Sequence, residues 1–104
     1  MQHIGINLQN LKGDLFKTSE INFAEILKAV YEIQDSKVKY PWLTTIDPYG
    51  DTLFNQLKVP QIIKELNSLS GTLSEDLRKK ANDLISFLKD TEISLDQFIV
   101  FVGD

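Results

Sequence analysis

The C-terminal apolar segment, residues 97–102, constrains the fold of this chain more than any other feature. After Gln97 every side chain in it is aromatic or β-branched, and Gly103 follows too soon for a helix. This composition and length predict a strand. Because side chains alternate across a strand, Phe98 and Phe101 lie on opposite faces, each with β-branched neighbours. Both faces of the predicted strand therefore require cover.

The predicted strand also lacks the features that protect an exposed strand edge, such as Lys, Pro or a bulge. We therefore expect its edge or its second face to be covered. The candidates are a second copy of the chain in a homodimer, a target protein, or residues 36–56 of the same chain. Between a second copy and a target protein, we favour the homodimer because it requires no unidentified molecule.

Apolar residues at helical spacing predict three helices. The first begins near Phe23. The second has Pro60 in its first turn and ends at Gly71, and the third runs from Ser74, its predicted N-cap, to Leu88.

A β-hairpin is predicted at the N-terminal end, because residues 4–8 alternate in polarity and turn residues around Gly13 follow them. The predicted fold is therefore α+β. We expect a small antiparallel sheet, made of the N-terminal hairpin and the C-terminal strand, to pack against about three helices in a single domain of residues 1–104.

Residues 36–56 show no sustained periodicity and contain two prolines and a glycine, so we expect a long ordered loop. Its many apolar side chains indicate that it packs on the domain. Asp47 opens a predicted turn in which Gly50 takes the left-handed conformation. Asp51 is expected to cap a short helical turn over residues 52–55.

The composition narrows the classes of function. The chain has no Cys and a single His, His3, so the usual Ser/His/Asp and Cys/His nucleophile systems are not expected. The net charge is −4, and the one basic cluster, residues 78–80, follows Glu75 and Asp76, which makes nucleic acid a poor partner.

No apolar run approaches the ~18 residues of a membrane span. We expect a cytoplasmic protein with no membrane partner, cofactor or metal.

The best candidates for contacts with a protein partner are aromatic and acidic residues of the 36–56 segment: Tyr40, Trp42, Asp47, Tyr49 and Asp51. Each also has a structural interpretation, since a lone Trp often anchors a core and Asp residues often build turns. A third possibility is a carboxylate or metal site formed by Asp47, Asp51 and Asp104.

Several short motifs occur in combination along the chain: 40–43 (YPWL), 46–52 (IDPYGDT), Pro60-Gln61, Glu65-Leu66 and 101–104 (FVGD). In this combination the chain resembles a set of small uncharacterised bacterial proteins. The resemblance implies a bacterial origin. The size and acidity are similar to those of immunity proteins and antitoxins, which neutralise a protein partner.

These observations favour a non-catalytic cytoplasmic binding module, with immunity-like inhibition of a protein partner as its concrete form. One alternative is a small carboxylate- or metal-dependent enzyme that uses Asp47, Asp51 and Asp104. The other is a structural subunit that forms a homodimer through its last strand.

Overall fold

A computed structural model describes residues 3–104. The elements in chain order are β1 (Ile4–Asn10), β2 (Leu15–Ser19), α1 (Ala24–Tyr31), α2 (Ser36–Lys39), a 3-10 turn (Leu43–Thr45), β3 (Asp51–Phe54), α3 (Val59–Ser70), α4 (Glu75–Asp90) and β4 (Gln97–Gly103). The predicted α+β class is confirmed. Three longer helices pack on one antiparallel sheet, and that sheet has four strands where the sequence predicted three.

The strand order β2-β1-β4-β3 places the apolar C-terminal strand inside the sheet. Phe101 of β4 pairs with Ile6 of β1 on one side and with Thr52 of β3 on the other. The β4 edge is therefore covered within the chain and not by strand pairing with a second copy. Residues 51–54 cover that edge, which was the intramolecular alternative, and only the second face of β4 is left to explain.

The 36–56 segment is not the irregular loop that its composition predicted. It contains α2, the 3-10 turn and β3. Asp51 does not cap a helical turn but begins β3, pairing with Val102. The reason is that β3 satisfies backbone groups of β4 that would otherwise be unpaired, and this long-range bonding outweighs the local preferences of four residues.

The N-terminal hairpin is confirmed. Gly13 has a φ of 88°, in the left-handed region that the turn requires. Asn10 Oδ1 accepts hydrogen bonds from the amides of Lys12 (3.0 Å) and Asp14 (3.0 Å), and this side chain fixes the turn. A bulge interrupts the pairing between β1 and β2 next to Leu8.

The starts of the three predicted helices follow from their first residues. Pro60 lies in the first turn of α3, and Ser74 Oγ accepts a hydrogen bond from Leu77 N at the start of α4. Before α1, Asn22 Oδ1 accepts from Ala24 N and from Ile4 N, which ties that helix to β1. Among the described residues, no helix is both long enough and apolar enough to cross a bilayer.

One face of the sheet and the three longer helices enclose a single core. Its strand members are Ile4, Ile6 and Leu8 of β1, Phe54 of β3, and Ile99 and Phe101 of β4. The ring of Phe101 lies edge-on to Phe23 (5.1 Å between centroids) and to Phe54 (5.6 Å). These aromatic contacts therefore join the segment before α1 to the central strand β4 and to the edge strand β3.

We predict that Phe101→Ala lowers the free energy of unfolding by about 3–5 kcal/mol, because it removes a fully buried ring and two aromatic contacts. The matched control is Phe16→Ala in β2, where the ring is half exposed and the loss should stay below about 1 kcal/mol. Urea titration measures both. Equal losses for the two variants would contradict the assignment of Phe101 to the core.

Candidate functional site

The sheet has a second face that points away from the helices, which we call the open face. Because Ile6 and Phe101 point into the core, alternation and register assign the neighbouring positions to the opposite side. The open face consists of Gly5, Asn7, Gln9, Phe16, Thr18, Asp51, Leu53, Phe98, Val100 and Val102. None of its apolar side chains belongs to the hydrophobic cluster that contains the helices.

Apolar side chains are concentrated on the β4 and β3 side of the open face. Val100 is only 3% exposed, because it lies between Asn7 of β1 and Leu53 of β3. Leu53 is 45% exposed, and Phe98 and Val102, on either side of Val100 along β4, are half-buried. The result is a contiguous apolar strip across two strands, in which Val100 is buried among its neighbours and Leu53 is the most exposed side chain.

The other edge of the open face adds two more exposed apolar side chains. Phe16 is 53% exposed and Leu15 is 59% exposed. Leu15 pairs with Gln9, an open-face residue, because the bulge shifts the register at this point. Because of the bulge, the consecutive residues Leu15 and Phe16 both lie at the open-face edge next to Gln9. Between the two apolar groups lie the uncharged side chains of β1.

Two of the five residues predicted to contact a partner have internal roles. Tyr40 is 4% exposed and belongs to the core. Trp42 is half-buried and packed against the core, with Lys58 Nζ lying 4.1 Å from its ring centroid. These positions agree with the structural interpretation of both aromatic residues.

Glu65 of α3 is the buried acid that holds this aromatic segment in place. Its side chain is 8% exposed. Its carboxylate oxygens accept hydrogen bonds from Trp42 N (3.1 and 3.2 Å) and from Leu43 N (3.0 Å). The carboxylate therefore caps the 3-10 turn, whose first amides have no backbone partner. A cleft of about 270 Å³ lies beside it, lined in part by Lys39, Trp42 and Lys64. The sequence pattern predicted no role for Glu65.

The turn that Asp47 opens lies at one end of the sheet. Asp47 Oδ1 accepts from Tyr49 N (2.9 Å), as predicted for a turn-building Asp. Gly50 does not take the predicted left-handed conformation, since Gly13 has the only positive φ among the described glycines. A Cβ at Gly50 would lie 2.7 Å from Asp47 Oδ2, so a larger residue there would require the Asp47 side chain to shift.

The same turn packs directly on the end of β4. Gly103 N donates to the carbonyl of Gly50 (2.8 Å), and a Cβ on Gly103 would lie 2.7 Å from the carbonyl oxygen of Asp47 and closer still to the Pro48 carbonyl. A side chain at position 103 cannot be accommodated without moving backbone. This contact fixes where β3 begins relative to β4.

Asp47, Asp51 and Asp104 all come to this end of the sheet. Asp51 lies on the open face, Asp104 follows β4 directly, and Asp47 takes part in the turn. In residues 3–104, no three His, Asp or Glu side chains are grouped as a metal site would require. Tyr49 is exposed and lies two residues before Asp51. Of the predicted contact residues, Asp51 therefore belongs to the open face.

No protein-family model, curated protein or solved structure matches this chain. Its function has to be inferred from its own residues, and the resemblance to small bacterial proteins stays a prediction.

We predict that Glu65→Ala lowers the free energy of unfolding by about 2–4 kcal/mol, because two amides lose a charged acceptor and have no other partner. Glu65→Gln keeps one carbonyl oxygen and should lose less. Because Trp42 is the only Trp, its fluorescence should shift to longer wavelength in the Ala variant. Glu92→Ala removes an exposed acid and is the control. A Glu65→Ala protein with unchanged stability and emission would contradict the capping role.

We predict that Gly103→Ala destabilises the fold by about 1–3 kcal/mol or more, because its methyl group meets the backbone of the 47–48 turn. Gly71→Ala is the matched control. At Gly71 a Cβ meets nothing within 4 Å and φ is −66°, so the change should be neutral or stabilising by about 0.4–1 kcal/mol. Thermal unfolding measures both, and the same response at the two positions would argue against the close approach.

Proposed function

We propose that this chain is a non-catalytic binding module of the cytoplasm that docks a partner protein on the open face of its sheet. Inhibition of that partner, as by an immunity protein, is the concrete form of the proposal. The observation that supports it is the apolar strip of Leu53, Phe98, Val100 and Val102, none of which belongs to the described core cluster that contains the helices. Apolar patches of this kind on small domains are typical of interaction sites.

The composition of the open face supports a protein as the occupant. The side chains beside the apolar strip are Asn7, Gln9 and Thr18, and Asp51 at one end is the one charged side chain among the described strand residues of this face. Depletion of charge around an apolar centre is characteristic of the buried part of protein interfaces. The backbone beneath is bonded on both sides along β1 and β4, so binding requires little ordering of the chain.

The architecture weakens the argument for a structural homodimer. A homodimer was expected to cover either the edge or the second face of β4, and β3 occupies the edge. The remaining apolar surface is a face, which suits a separate protein with a complementary protrusion as well as it suits a second copy. The absence of Cys from the sequence fits a reducing compartment and is the basis for placing the module in the cytoplasm.

Partner capture tests this proposal. The chain is immobilised and crosslinked in a lysate of its source cells, and bound proteins are quantified by mass spectrometry. The variant pair Phe16→Thr with Leu53→Thr removes exposed apolar surface from the open face while keeping strand propensity. We expect it to lose the captured partner, because central apolar contacts dominate binding energy.

The control pair, Val38→Thr with Leu57→Thr, removes apolar side chains that are more exposed than Phe16 and Leu53 and that lie outside the sheet. It should retain the partner at the wild-type level. Capture that is indifferent to the open-face pair, or no protein enriched over bare matrix, would contradict the proposal.

A further inference from the structure

The charges of this chain are segregated between its two layers. The strands with their adjoining turns, residues 3–20, 47–54 and 96–104, contain six acids and two lysines. The acids are Asp14, Glu20, Asp47, Asp51, Asp96 and Asp104, and all six are exposed. The rest of the chain contains nine acids and nine basic side chains. The whole net charge of −4 therefore belongs to the sheet layer, and the helical layer is neutral.

One of the two lysines in the sheet layer is turned away from the open face. Lys17 of β2 pairs with the core-facing Leu8, and its Nζ donates to Thr91 Oγ1 (3.0 Å). The same Nζ lies 4.8 Å from the ring centroid of Phe87 on α4. The other lysine, Lys12, is in the hairpin turn. Among the described residues, no Lys or Arg of the strands lies on the open face, so no lysine or arginine there offsets the acids at the strand ends.

We propose that the partner presents a basic surface with an apolar centre. This inference rests on the proposed function and specifies the chemistry of the molecule that the open face binds. The apolar strip around Val100 would receive the apolar centre, and the acids at the strand ends would face Lys or Arg side chains around it. Two acids lie nearest to the strip by strand pairing and chain position. Asp51 pairs with Val102, and Asp104 directly follows β4.

The physical argument is electrostatic complementarity. A layer with an unbalanced negative charge attracts a cationic surface during diffusion and disfavours an acidic one. A neutral helical layer exerts no such preference. Segregation of charge therefore orients an approaching basic protein toward the open face, and the apolar strip then retains it.

Synthetic peptides test the inference without knowledge of the partner. One probe alternates Leu with Lys, a second has Glu at every Lys position, and a third has Ser at every Leu position of the first. Binding to the intact chain is measured by fluorescence anisotropy. We expect the Leu–Lys probe to bind at least about tenfold more tightly than the Leu–Glu probe, and the Ser–Lys probe to bind weakly.

Charge variants locate the preference. The double variant Asp51→Asn with Asp104→Asn should lower the ratio of the affinities for the Leu–Lys and Leu–Glu probes by about threefold or more. Salt near 0.5 M should lower this affinity ratio further. The control pair, Asp83→Asn with Asp90→Asn on α4, removes the same number of charges from the helical layer. It should leave the ratio unchanged.

The outcomes separate this inference from the proposed function. In one outcome the Leu–Lys and Leu–Glu probes bind with equal affinity, and both lose binding in the Phe16→Thr, Leu53→Thr variant. This outcome overturns the inference that the partner is basic but keeps the open face as a docking surface. The inference is also overturned if the Leu–Lys probe still binds this double variant, or if it does not bind the intact chain. In either case the partner-capture experiment still tests the proposed function. A dimer in light scattering that this pair dissociates assigns the open face to a second copy and also overturns the inference.

Discussion

The pairing of β4 on both sides is the constraint on which the rest of the structure depends. A strand that is apolar on both faces and unprotected at its edges has to be central in a sheet. β4 is central because β1 pairs with one of its edges and β3 with the other. Its Ile99 and Phe101 face then anchors the helices, while its Phe98, Val100 and Val102 face is left pointing outward. The candidate function follows from this division, because the same strand that completes the core creates the apolar strip.

Two contacts bring β3 to its place beside β4. The Glu65 carboxylate holds the amides of Trp42 and Leu43 against α3, and the turn after Asp47 fits against Gly103, where only a glycine leaves room. The segment between α1 and α3 is therefore fixed near its middle and near its end. The aromatic and acidic residues that attract attention in the sequence mostly serve this attachment, and the surface they help to complete lies on the neighbouring strands.

The sequence predicted the elements whose signals are local. Periodicity identified three helices, Ser74 and Pro60 marked two of their starts, and alternation with Gly13 identified the hairpin. β3 was missed because its four residues have no period of their own and become a strand only through pairing with β4. For the same reason the role of Glu65 was invisible, since its partners lie 22 and 23 positions away. The apolar character of the open face was predicted in part, because residues 98–102 carry apolar side chains on both faces of their strand.

The central claim is that the open face is covered by another molecule in the cell and bare in the isolated protein. Hydroxyl-radical footprinting of side chains, done on the purified chain and inside intact source cells, measures this directly. Phe16 and Phe98 on the open face should be oxidised less in cells than in isolation, while Tyr31 on α1, which is comparably exposed to Phe16, should react equally in both. Equal oxidation of Phe16 and Phe98 in the two settings would contradict the account.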